Sequence, residues 1–98
     1  MPTFIMLSTL GPDGAATLRD NPDRIRAVTA EVEAMGVKVV AQYALLGDYD
    51  FLNIIEAPDE KTMARLAVEL GARGTLKTRT MPALSIDDFI AAVGNAKQ

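Results

Sequence analysis

Gly47, Asp48, Tyr49 and Asp50 bring two carboxylates and a phenol together in four consecutive positions, inside the stretch LLGDYDFLNIIEAP that runs from residue 45 to 58. A tyrosine beside a carboxylate offers both a donor and acceptors, and a guanidinium such as Arg73 completes a set able to hold a small polar molecule. The same three residues, Asp50, Tyr49 and Arg73, are the best catalytic grouping in the chain. For Asp50 to act as a general base near neutrality, burial would have to raise it from its ordinary value of about 4. A structural role competes at each position: Gly47 closes a turn, and Asp50 ties Arg73 or nearby backbone N–H groups.

Other chemistry is largely excluded. Histidine and cysteine are absent, which removes the imidazole base, the thiolate nucleophile and the usual nitrogen and sulfur metal ligands. A metal would need carboxylates alone, and Asp48, Asp50 and Asp59 do not converge if the chain turns as read below; no metal and no cofactor are expected. The segments GPDG and GARG lack the Lys and Ser/Thr of a phosphate loop. A net charge of −3 argues against nucleic acid as a partner. No apolar run approaches the roughly 20 residues that span a bilayer, and MPTFIMLSTL has no basic leader, so the expectation is a cytoplasmic protein with no membrane association.

These residues must be positioned by the elements around them. TFIMLSTL reads as a strand stopped by GPDG, and residues 15–20 as a short turn of helix. NPDRIRAVTAEVEAMG carries helix signals, with Asn21 as cap, Pro22 at the first helical position, Asp23 in the first turn and Gly36 as the stop; Ile25, Val28, Val32 and Met35 form its apolar stripe, leaving Glu31 and Glu33 to solvent. VKVVAQYALL and YDFLNIIEA form a hairpin around Gly47. A helix beginning at Pro58 carries Met63, Leu66, Ala67 and Leu70, with Glu56 near its start in a helix-end role. RGTLKTRTM is a fourth strand, edge-protected by Lys77 and Arg79. Ser85 and Asp88 match a capping box for a last helix bearing Ile86, Phe89, Ile90 and Val93.

The order βαββαβ with an appended C-terminal helix gives an α+β, ferredoxin-like domain over residues 1–98, with residues 94–98 as a frayed tail. Its antiparallel sheet is ordered 4-1-3-2, with both long helices on one face. The loops Gly11–Gly14, Gly47–Tyr49 and Gly71–Gly74 then gather at one end of the sheet. Phe4 to Leu7, Val39 to Ala41 and Phe51 to Ile55 do not alternate cleanly between apolar and polar, as a solvated outer face would require. A second copy is the economical cover, which predicts a homodimer or higher homo-oligomer joined through sheet faces.

The segments MPTFIMLSTL, AQYALLGDYDFLNIIEAP and LGARGTLKTRTMPA make the chain, from Pro2 to about Ile90, resemble the GYD domain family of the dimeric alpha/beta-barrel superfamily, with Tyr49 and Asp50 in register with the motif behind the name. The resemblance implies a two-sheet barrel made by a homodimer and brings no activity with it. In such a barrel Gln42 and Lys38, sharing a face of strand 2, Asn53 on strand 3 and Lys77 would face the interior, where an unpartnered amide costs about 1–3 kcal/mol and so needs a network or a ligand. Tyr43, on the other face, would pack against a helix. The ligand-binding candidates are therefore Gln42, Tyr49, Asp50, Asn53, Arg73 and Lys77. A ligand-binding or assembly module asks least of these residues. The alternatives are a small cofactor-independent enzyme using Asp50, Tyr49 and Arg73, and a purely structural subunit.

Overall fold

In the computed structural model, which describes residues 1–74 and 76–96, the elements follow as β1 (Thr3–Leu10), α1 (Pro12–Asp20), α2 (Arg24–Ala34), β2 (Lys38–Ala44), β3 (Phe51–Glu56), α3 (Glu60–Ala72), β4 (Leu76–Ala83) and α4 (Ile86–Ala96). One four-stranded antiparallel sheet is ordered β2-β3-β1-β4. This is the expected ferredoxin-like arrangement. Thr75, expected in the fourth strand, and Lys97 and Gln98 of the expected frayed tail lie outside the described residues.

Several element ends differ from the reading of the sequence, each for a local reason. The turn of helix expected at residues 15–20 is a full helix that starts at Pro12. Asn21 and Pro22 fall in the turn before α2, whose cap is Asp23. Helix α3 starts after Pro58, because Asp59 caps it by accepting from the backbone N–H of Thr62 at 2.8 Å; Glu56 remains the last residue of β3. Ser85 does cap α4, accepting from the Asp88 N–H at 3.0 Å. Gly36 and Gly47 have φ of 98° and 122°, the left-handed region where a side chain is strained.

The core lies on one side of the sheet. Phe4 and Met6 of β1 and Ile55 of β3 meet Val32 of α2 and Met63, Leu66 and Leu70 of α3, all buried. Strand pairing carries this face across the sheet: Met6 stands opposite Asn53 and Thr80, and Asn53 opposite Gln42. The other face carries Ile5, Leu7, Leu52, Ile54 and Tyr43. None of these is buried within the chain, and Tyr43 is 59% exposed.

The register of β2 corrects two expectations. A β-bulge between Val39 and Ala41 inserts Val40 as an unpaired residue, which reverses the alternation along the strand. Lys38, opposite Glu56, therefore faces the open side, whereas Gln42 faces the helices. By the same reversal Tyr43 lies opposite Leu52 on the open face instead of packing under a helix.

Helix α4 stands apart from this body. Ile86, Phe89, Ile90 and Val93 are 42–70% exposed. The radius of gyration, 15.3 Å, exceeds the roughly 13 Å of a compact chain of this length.

Candidate ligand pocket

The helix layer does not fill the upper half of the sheet. A cavity of about 540 Å³ lies between the helix-facing side of the strands and α1, α2 and α3, within the range of roughly 300–1,000 Å³ typical of small-molecule sites. Its walls are mostly apolar, with Met6, Phe51, Ile55, Val28 and Val32 among them. Ile25, expected in the packed stripe of α2, is 36% exposed because it overhangs this space.

Two amides form its polar floor. Gln42 and Asn53 stand opposite each other on β2 and β3, and Gln42 Nε2 donates to Asn53 Oδ1 at 2.9 Å. Gln42 Oε1 lies 3.2 Å from the Thr29 hydroxyl, which also reaches the Ile25 carbonyl at 2.9 Å. Asn53 Oδ1 is engaged and the single Thr29 hydrogen is shared between Gln42 Oε1 and the Ile25 carbonyl, which leaves one amide hydrogen on Gln42 Nε2 and the pair on Asn53 Nδ2. The floor is rich in donors.

The rim adds positive charge. Arg24 and Arg73 both line the cavity and share Glu31, whose Oε1 lies 3.8 Å from Arg24 Nη1 and whose Oε2 accepts from Arg73 Nη1. Two guanidinium groups against one carboxylate leave a net positive rim. Cations and N–H donors around an apolar hollow suit a small molecule with an apolar body and an anionic acceptor group.

The residues singled out from the sequence are divided by the fold. Gln42, Asn53 and Arg73 line this cavity. Tyr49 and Lys77 line a second depression of about 420 Å³ with Thr9, Asp48 and Arg79. Lys77 pairs with Thr9 and thus projects on the open side of the sheet, opposite to Gln42 and Asn53. Asp50 lines neither hollow. Its Oδ2 accepts from the Leu10 N–H at 2.7 Å, its own N–H donates to the Ser8 carbonyl at 2.9 Å, and its carbonyl accepts from the Leu45 N–H at 2.7 Å. Asp50 is thus a clamp between the hairpin and the end of β1, and Arg73 is engaged with Glu31 instead. The three loops do gather at one end of the sheet, but Asp50, Tyr49 and Arg73 are not brought into one constellation.

Thr29, Arg24 and Glu31 were not legible as site residues. Glu31 and Glu33 were expected in solvent; Glu31 bridges the two arginines and Glu33 Oε2 accepts from the Val39 N–H at 3.2 Å. The available signal was the helical wheel, which places Thr29 four residues after Ile25 and three before Val32, along the apolar stripe. Among the described residues no cluster of three or more acidic side chains could hold a metal ion, and no helix is long and apolar enough to cross a membrane.

A single-sheet ferredoxin-like domain, covered on one face by its own helices around a hollow and open on the other, is the class these features define. The chain belongs to the GYD domain family, whose model matches residues 4–93. It is 55% identical over 92 residues, 93% of this chain and 97% of the relative, to the glutamine synthetase and cystathionine beta-lyase binding protein of Thermus thermophilus. Its fold is similar to that of FFRP-DM1, with a TM-score of 0.57 at 22% identity over 86% of this chain and 100% of that one. It is also similar to TTHA0845 from Thermus thermophilus, with a TM-score of 0.54 at 18% identity over 87% and 95% of the two chains.

Proposed function

We propose that this protein is a homodimeric binding module whose cavity between sheet and helices takes a small carboxylate with an apolar body. The observation that carries the reading is the donor-rich amide pair, Gln42 and Asn53, beneath a rim holding Arg24 and Arg73. The apolar walls receive the body of the ligand, and the donors and guanidinium groups receive its carboxylate. Phenylacetate and its neutral amide, phenylacetamide, form a matched pair of probes. In titration calorimetry the acid is expected to bind in the millimolar range or tighter, and the amide at least tenfold more weakly, a difference of about 1.4 kcal/mol. Equal binding of both, or of neither, rejects the carboxylate reading.

The dimer joins through the open sheet faces, a reading supported by the contiguous half-buried residues Ile5, Leu7, Leu52 and Ile54 on a surface the chain does not cover. Light scattering is expected to give about twice 10.5 kDa, or a multiple of it. A stable monomer at micromolar concentration rejects it.

A second reading concerns protein partners and is favoured by the relative at 55% identity, which is named for binding two enzymes. In this reading the module docks on a metabolic enzyme of that kind, glutamine synthetase first among them. Biolayer interferometry against immobilised glutamine synthetase from the same organism tests it, with saturable binding expected; a flat response at tens of micromolar protein counts against it.

A further inference from the structure

Helix α4 is eleven residues long, and isolated helices shorter than about 12–15 residues are marginal in water even when rich in alanine. Gly94 lowers its intrinsic helicity further. A helix of this kind is held by burial of its apolar stripe, yet Ile86, Phe89, Ile90 and Val93 are exposed, as is Leu84 in the connection before it. The body of the same chain does not supply the missing contact. Strand β4, eight residues or about 26 Å long, and α4, about 16 Å long, reach most of the 56 Å long axis of the molecule only when laid end to end. The helix is an arm that leaves the sheet at Ala83 and points away from it.

A surface that matches the arm is present in the chain itself. The open sheet face offers Leu7 and Met81 near its β4 margin, and Lys77 and Arg79 line that margin on the same side. The first turn of α4 carries Asp87 at the flank of its apolar stripe and Asp88 on the opposite side of the helix. Apolar surface faces apolar surface, and the Asp87 carboxylate at the flank of the stripe meets a pair of cations. When both complementary patches belong to one chain and cannot meet within it, two copies related by a twofold axis satisfy both at once.

We propose that α4 of each copy lies along the β4 margin of the other copy's open sheet face, with Phe89 and Ile90 on the other copy's Leu7 and Met81, and Asp87 against its Lys77 and Arg79. The arms flank the sheet-to-sheet contact and lock it. This inference rests on the sheet-face homodimer proposed above, and the experiment separates the two.

The test uses the full chain, with one half of the sample labelled with carbon-13 and nitrogen-15 and the other half unlabelled, refolded together. Isotope-filtered nuclear Overhauser spectra are expected to connect the Phe89 ring to the methyl groups of Leu7 and Met81 between copies. Phe89→Asp is expected to abolish these contacts and to raise the concentration at which light scattering shows half dissociation by tenfold or more. Because Phe89 is 54% exposed within its own chain, the variant leaves the sheet and the helices packed on it intact, and circular dichroism is expected to lose no more than the helical signal of α4. A dimer whose arm gives no contacts between copies and tumbles freely overturns the arm and leaves the dimer standing. Contacts found only within one copy overturn it equally, as does an arm that becomes protected only when glutamine synthetase is added. A monomer overturns both readings.

Discussion

Gln42 donates its Nε2 hydrogen to Asn53 Oδ1 at 2.9 Å across directly paired positions of β2 and β3, and the Thr29 hydroxyl of α2 holds the other end of the Gln42 amide. The relationship ties a helix to the sheet through two side chains and orients the remaining N–H groups of both amides. It exists because the Val40 bulge turns Gln42 toward the helices.

Replacing Asn53 by Leu removes the pair of Nδ2 donors while keeping the volume of the floor. Gln42 is exposed and can turn to water, so urea unfolding is expected to show a loss of stability within about 1 kcal/mol. Phenylacetate affinity, measured by calorimetry, is expected to fall about tenfold.

In the proposed carboxylate site, Glu31 would compete with the ligand for Arg24 and Arg73. Glu31→Gln is expected to strengthen phenylacetate binding about threefold to tenfold, the range of one exposed charge contact. The side chains of this triad are 37–44% exposed, so the stability change is expected to stay below about 1 kcal/mol. The same calorimetric titration and urea curve read both.

Asp50→Ala leaves the Leu10 N–H without its acceptor, a loss of about 1–3 kcal/mol in urea unfolding. Asp50→Asn keeps an oxygen at that position and is expected to lose less. Neither change is expected to alter phenylacetate affinity, since Asp50 lines no part of the cavity. An affinity change with Asp50→Asn would place the ligand at the hairpin instead.

The Asp59 carboxyl is held below its ordinary value by the hydrogen bond from the Thr62 N–H first and the Thr62 hydroxyl second. A carboxylate with a depressed folded value stabilises the protein above its unfolded value of about 3.9 and loses that contribution as pH falls through the folded one. Asp59→Ala is therefore expected to melt at a lower temperature than the parent at neutral pH. The gap should close as the pH is taken from about 5 toward about 2, which thermal denaturation in a pH series measures.

Ile54 lies on the open face, half-buried and opposite Ile5. Ile54→Asp would bury an unpaired charge in a sheet-face dimer, an effect of about 3–5 kcal/mol, whereas water would solvate it in a monomer. Light scattering is expected to drop to the 10.5 kDa of one chain, with circular dichroism losing no more than the helical signal of α4.

The order of elements, the antiparallel sheet and its strand order were legible because they rest on local signals: apolar periodicity, Gly47 at the hairpin, Ser85 before α4, and the handedness of the crossovers. The gathering of three loops at one end follows from that order alone. Which face each polar residue of β2 occupies was not legible, because one unpaired residue at Val40 reverses every position from Ala41 to Ala44 relative to Lys38, and a bulge leaves no mark in composition or periodicity. The partners of Asp50 and Arg73 were also set by tertiary structure. A carboxylate takes whichever donor the backbone presents at hydrogen-bond distance: Asp50 meets the Leu10 N–H, forty residues away, and Arg73 meets Glu31, forty-two residues away. Sequence proximity and chemical complementarity named polar candidates without saying which of them share a surface. The separation of Lys77 from Gln42 and Asn53 by the thickness of a sheet appeared only when the strands paired, because pairing register alone assigns a side chain to one face or the other.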